Sequence, residues 1–305
     1  MIALFAALLL QSTAAPAGLD PIADMIASQS PEAGAPADLT APMAPAPVEG
    51  CAGTFAEGAL LVCHFGPDSR VTLGGVTADA DASGWAVLGI PRDAPAELRF
   101  TVSGARMARS IDRMQPITQR EFAIQRIEGV PQSTVTPDAS TLPRRQREYA
   151  QKQAAFATHW DGAGFVGGFI RPAEGITTGV YGSQRIYNGT PGNPHWGMDW
   201  ANDPGTPVIA PAAGRVILAE PDMYYEGGLI FLDHGQGLVS CFLHMSAVHV
   251  AVGDMVEQGQ MIGEIGAGGR ATGPHLDWRV KFQNSFYVDP ALLLELDTSD
   301  LRAIE

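Results

Sequence analysis

Gly228-Leu229-Ile230-Phe231-Leu232-Asp233 and Leu238-Val239-Ser240-Cys241-Phe242-Leu243 are two short apolar runs joined by His234-Gly235-Gln236-Gly237. Runs of this length, rich in branched and aromatic side chains and bounded by glycine, predict strands. The glycine-rich joint predicts a hairpin turn that holds His234. The same pattern continues on both sides. Arg215-Val216-Ile217-Leu218-Ala219 lies upstream and His275-Leu276-Asp277-Trp278-Arg279-Val280 downstream. No helix-length period interrupts the region before Pro290-Ala291-Leu292-Leu293-Leu294. The expectation for residues 164–296 is therefore a Gly-rich antiparallel β domain shaped as a groove or sandwich, in a mainly β protein.

Residues 51–130 carry short alternating runs such as Leu60-Leu61-Val62-Cys63, Trp85 to Ile90, Leu98 to Val102 and Phe122 to Ile127. Their spacing predicts a small β-sandwich. Residues 131–163 read as a helical linker, with the helix over Leu142 to Trp160, Thr141 able to cap it and Pro143 in its first turn. Asp79-Ala80-Asp81-Ala82-Ser83-Gly84 looks like the start of a calcium loop, but the position needing a terminal Glu is Ile90, so a polar hairpin turn is the expectation. Residues 18–50, rich in Ala and Pro, predict a disordered tether. Residues 1–17 have the short apolar run of a secretory signal, cleaved or retained as an anchor, which implies a periplasmic or otherwise exported protein. No other stretch is apolar enough to span a membrane. Residues 297–305 are expected to be a tail.

The chain has 305 residues, enough for two cores, and a formal net charge of −14. Nucleic-acid binding needs a basic face, so that class is disfavoured. Cys51 and Cys63 flank a strand-like segment and could pair in an oxidising compartment, while Cys241 reads as a buried thiol.

Three separated stretches carry chemistry: His195-Trp196-Gly197-Met198-Asp199, Phe242-Leu243-His244-Met245 and Thr272-Gly273-Pro274-His275-Leu276-Asp277-Trp278. On a strand, His275 and Asp277 face the same side at about 6.7 Å. His195 and Asp199 would lie about 13 Å apart on a straight strand, so the chain is expected to curl between them, with Gly197 allowing the bend. His244 closes an apolar run that could present it to the same cleft. Trp196 and Tyr181 could line that cleft, though an aromatic beside a turn is more often packing, and His249 reads as a surface residue.

This ordered set resembles the lysostaphin/LytM family of zinc endopeptidases, with its H-x-x-x-D, isolated His and G-P-H-x-H motifs. Val252 to Gly263 and Gly269 to Pro274 resemble that family's glycine-rich hairpins. The resemblance implies one Zn²⁺ held by His195, Asp199 and Asp277, the last standing where the family has histidine. It implies that His244 and His275 flank a water on the metal, as general base and oxyanion stabiliser, and that the substrate is the peptide stems of peptidoglycan. Two carboxylates and one imidazole would neutralise the ion, so a weaker acidifying effect and a modest drift toward harder metals are expected. A catalytically silent cell-wall factor that activates another hydrolase is the rival reading. A biotinyl or lipoyl carrier is disfavoured because Lys281 has no turn around it.

Overall fold

Leu60, Leu61, Val62 and Cys63 are all buried, which a half-exposed strand would not allow. Successive side chains point to opposite faces. Leu60 and Val62 enter one core while Leu61 and Cys63 enter another. The strand Leu60–His64 thus lies between the two halves of the molecule. The computed structural model describes residues 48–104, 109–127, 138–187 and 190–301. The expected signal segment, almost all of the tether, the start of the linker and the end of the tail lie outside the described residues.

In the first half, Leu60–His64 pairs with Cys51–Ala52 and Trp85–Gly89. A second antiparallel sheet runs Val76–Asp79, Ser69–Leu73, Glu97–Gly104, Ile111–Pro116. Cys51 and Cys63 face each other across the first pair and form a disulfide. The Asp79–Gly84 stretch makes a turn in which Asp81 Oδ1 accepts from the backbone of Ser83 and Trp85. The Phe122–Ile127 run forms the strand Ile124–Ile127, but its partner is unexpected: it pairs in parallel with Gln184–Tyr187 of the second half.

The second half is a ten-stranded antiparallel sheet. Its central order is Gly214–Met223, Gly227–Asp233, Leu238–Val248, His275–Phe282, Gly197–Ala201, Ile176–Gly179. One face packs Ile230, Leu232, Phe242, Trp200, Leu276, Trp278 and Val280 into the main core. The other face carries Leu229, Phe231, Cys241 and Leu243. Because both faces are covered, these strands read as continuous apolar runs rather than alternating ones. Cys241 is buried, and burial pushes its thiol up to about 12.

The helix spans Leu142–Phe156, shorter than expected, and Thr141 makes no side-chain cap. A 3₁₀ turn over Ala139–Thr141 precedes it, with Asp138 accepting from Ser140 N. The helix does more than link. Arg145, Glu148, Lys152 and Ala155 form one buried face laid over the second side of the sheet. Lys152 Nζ donates to Glu226 Oε1, Arg145 Nη1 to the Tyr225 hydroxyl at 3.0 Å, and Tyr224 N to Glu148 Oε2 at 2.9 Å. Phe156 stacks on Phe231 at 4.4 Å. No described helix is long and apolar enough to cross a membrane.

Candidate metal centre

Asp199 and Asp277 lie directly opposite each other on the strands Gly197–Ala201 and His275–Phe282. Paired residues share a sheet face, so the two carboxylates converge, an arrangement that is unfavourable without a neighbouring cation. His195 sits in the corner before its strand. That corner is fastened by Gly182 N donating to His195 O at 2.7 Å and His195 N to Ser183 O at 2.9 Å. Its Nε2 lies 3.1 Å from Asp199 Oδ1 and 3.7 Å from Asp277 Oδ2. Ligand bonds of about 2.0–2.1 Å at a tetrahedral angle would separate donor atoms by about 3.3 Å. One donor atom from each of the three residues fits within a 4.8 Å span, so the set matches a single small ion.

Gly197 has a different part from the expected one. It is outside the left-handed region, so it is not needed for a bend. A Cβ there would meet Trp278 O at 2.5 Å and Asp277 Oδ1 at 2.6 Å. The glycine makes room for the Asp277 carboxylate. Gly179, which the sequence reading did not single out, does the same for Asp199, whose Oδ2 would lie 2.1 Å from an added Cβ.

His244 reaches the centre through a bulge. Gly228 pairs with Met245 and Ile230 with Phe242, so the Leu238–Val248 strand carries one extra residue over this interval. Phe242 and Met245 both point into the main core and Leu243 to the other face. His244 is the residue left over, at a left-handed φ of 65°. Such a bulge re-aims a side chain, and a left-handed non-glycine residue marks a place where the surroundings hold backbone strain. His244 N donates to Glu226 O at 2.7 Å. Its ring centroid lies 4.7 Å from that of His275.

The three histidines share one orientation device. Nδ1 donates to Val180 O at 3.1 Å in His195, to Gly268 O at 2.9 Å in His244 and to Gly273 O at 2.8 Å in His275. A carbonyl only accepts, so Nδ1 carries a proton in each, and a ring in its neutral form presents the Nε2 lone pair. His195 Nε2, His244 Nε2 and Asp199 Oδ1 are buried without a hydrogen-bond partner. His195 Nε2 faces Asp199 Oδ1 across 3.1 Å, so without metal that pair is satisfied only while His195 is protonated, and with neutral rings an ion and its water ligand would take up these atoms. The donors therefore fit a divalent ion.

Arg279 is the residue sequence reading missed. It lies two places beyond Asp277, on the same strand face, and the same alternation that flagged Asp277 could have found it. Its Nε donates to both Asp277 oxygens at 3.0 Å and its Nη2 to Oδ2 at 2.5 Å. Both residues are buried. Burial works against the Asp277 carboxylate, yet Arg279 and His195 hold its pKa well below the usual range. The expectation of a neutralised ion counted the two carboxylates without this guanidinium. The guanidinium returns one positive charge to the centre.

Burial disfavours the His195 imidazolium, but Asp199 and Asp277 outweigh it and raise its pKa from 6.5 to about 9 without metal. The sign follows from linkage: this protonated form stabilises the metal-free fold fully below 6.5, and the contribution fades as pH rises through about 9. Metal must displace that proton. Zinc affinity is expected to rise about tenfold per pH unit between pH 7 and the His195 pKa, with about one proton released per ion. Calorimetry in buffers of different ionisation enthalpy measures this; a pH-independent affinity would contradict it. Burial and the nearby His275 lower His244 to about 4, so it is neutral at pH 7.

The remaining candidates are structural. His234 is buried, bonded to Ala213 O and Ser240 Oγ, both at 2.8 Å, and its pKa falls to about 4 through burial. His249 pairs with Glu264 at 3.1 Å on the surface. Tyr181 donates to Tyr287 O, and Trp196 stacks on Tyr287. Lys281 lies within the strand His275–Phe282, paired on both sides, with its ammonium over the Phe156 ring.

Residues 193–290 match the profile of peptidase family M23. The crystal structure of a putative peptidase M23 from Pseudomonas aeruginosa superposes with a TM-score of 0.58 at 30% identity, over 79% of this chain and 95% of that one. Peptidoglycan DD-endopeptidase ShyB of Vibrio cholerae is 36% identical over 91 residues, 30% of this chain and 21% of that protein. Lysostaphin of Staphylococcus simulans is 36% identical over 111 residues, 35% of this chain and 22% of that protein. The chain thus spans about a fifth of the length of these curated relatives. With the antiparallel fold, the ordered His and Asp positions and the Pseudomonas structure all in agreement, the chain belongs to peptidase family M23.

Proposed function

We propose that the protein is a zinc-dependent endopeptidase that hydrolyses peptide cross-links of bacterial peptidoglycan. The observation that carries this reading is the convergence of His195 Nε2, Asp199 Oδ1 and Asp277 Oδ2, all buried, within the reach of one ion. The names of the relatives, a peptidoglycan DD-endopeptidase and lysostaphin, support the substrate class. His195, Asp199 and Asp277 hold the ion. A bound zinc supplies Lewis acidity toward the scissile carbonyl and an acidified water. His244 and His275 stand side by side with Nδ1 tied to backbone. Their Nε2 lone pairs can accept the proton lost by the attacking water, and the imidazolium so formed presents an Nε2–H to the developing oxygen charge and then to the leaving nitrogen. The Cys51–Cys63 disulfide supports a periplasmic or otherwise exported location, since such bonds persist in oxidising compartments.

The test is zinc content after purification, followed by digestion of cross-linked peptidoglycan and separation of the muropeptides. One zinc per chain and a loss of cross-linked muropeptides are expected, and His195→Ala should abolish both. The second reading, a silent factor that activates another hydrolase, is favoured by one observation: Asp277 already has a cation, Arg279. Protein without metal and without cleavage would establish that reading instead.

A further inference from the structure

We infer that Arg279 is a positioning residue of the metal centre: it fixes the Asp277 carboxylate in place and cancels its charge. The inference rests on the metal-site reading above. With Asp199 and Asp277 at −1 each and Arg279 at +1, the ligand set carries −1 rather than −2. A divalent ion then leaves the centre with a net positive charge, the condition for acidifying water and polarising a carbonyl.

Three features of the chain support this. Nε reaches both Asp277 oxygens and Nη2 reaches Oδ2, so the planar guanidinium fixes the carboxylate plane in a way a lysine could not. Arg279 and Asp277 are 1% and 0% exposed, so water does not screen the compensating charge. Gly197, directly opposite Arg279 in the register, leaves the space its stem uses, since a Cβ there would lie 2.7 Å from Arg279 Cγ. The guanidinium is not a substitute for the ion. His195 Nε2 and Asp199 Oδ1 receive no hydrogen bond from it.

The test measures zinc dissociation constants by chelator competition, and melting temperatures with and without zinc, for wild type, Asp277→His, Arg279→Met and the double variant. Asp277→His should place an unpaired guanidinium beside the ion and weaken zinc binding about 10–100-fold, the range seen when an outer partner of a ligand is disturbed. Adding Arg279→Met to it should recover most of that loss. Arg279→Met alone should lower the metal-free melting temperature and enlarge the rise produced by zinc, because the ion becomes the sole counter-charge of Asp277. Should Arg279→Met not fold without metal, the comparison of Asp277→His with the double variant still decides. Equal zinc affinity in wild type, Asp277→His and the double variant would overturn the role of Arg279 while leaving the metal site intact. A wild type that takes up no zinc would overturn the site reading, and this inference with it.

Discussion

Replacing Lys152 with methionine is expected to destabilise the protein by about 3–5 kcal/mol, the range for removing one member of a buried ion pair. Lys152 is 2% exposed and Glu226 is fully buried, and the pair joins the helix to the sheet. Methionine fills a similar volume, so the loss is chiefly electrostatic. It leaves the Glu226 carboxylate in the interior with Oε2 already lacking a partner. The exposed pair Arg70–Asp79 lies in water and contributes far less. The double variant Lys152→Met/Glu226→Met should regain much of the loss, because an apolar pair leaves no uncompensated charge. Denaturant unfolding of the four proteins in a double-mutant cycle measures the coupling. Unchanged midpoints would show that the helix does not seal this face as described. Glu226 O also receives the His244 N–H, so Lys152→Met should loosen His244 as well.

Gly179→Ala should weaken zinc binding about 10–100-fold, the effect of disturbing the support of a ligand. The added methyl would lie 2.1 Å from Asp199 Oδ2, 2.7 Å from its Cγ and 3.0 Å from His195 Cε1. Gly179 and Asp199 are register partners on adjacent strands, so neither backbone can retreat without disturbing the sheet. The short carboxylate must turn instead, and a ligand displaced by more than about 0.5 Å no longer meets the ion. Gly75→Ala, where an added Cβ has no neighbour within 4 Å, is the control for a general effect of the substitution. Zinc competition against a chromogenic chelator gives both constants. Equal affinity in Gly179→Ala and wild type would place the Asp199 carboxylate elsewhere.

Much of the centre was legible along the chain because its signals are local. Strand alternation puts His275, Asp277 and Arg279 on one face, and the His195-x-x-x-Asp199 spacing required the corner that the structure has. The Arg279 role was within reach by the same period, but alternation cannot say that a long side chain folds back onto a neighbour instead of into solvent. The role expected of Gly197 in that corner was wrong for a related reason. A glycine in sequence looks the same whether it supplies a backbone conformation or an empty volume, and only the strand placed beside it tells them apart.

What the amino-acid order settled by itself is the class of each segment and the facing of residues within a strand, since both follow from the two-residue period and from short-range turn chemistry. What only the tertiary structure decided is every feature set by distant partners. These are the extra residue that turns His244 inward, the Ile124–Ile127 strand that crosses to the other half, the helix face closed by Lys152 and Glu226, and the room left by Gly179 and Gly197. Register between strands and the packing of one layer on another depend on residues far apart in the chain, and no local pattern carries that information.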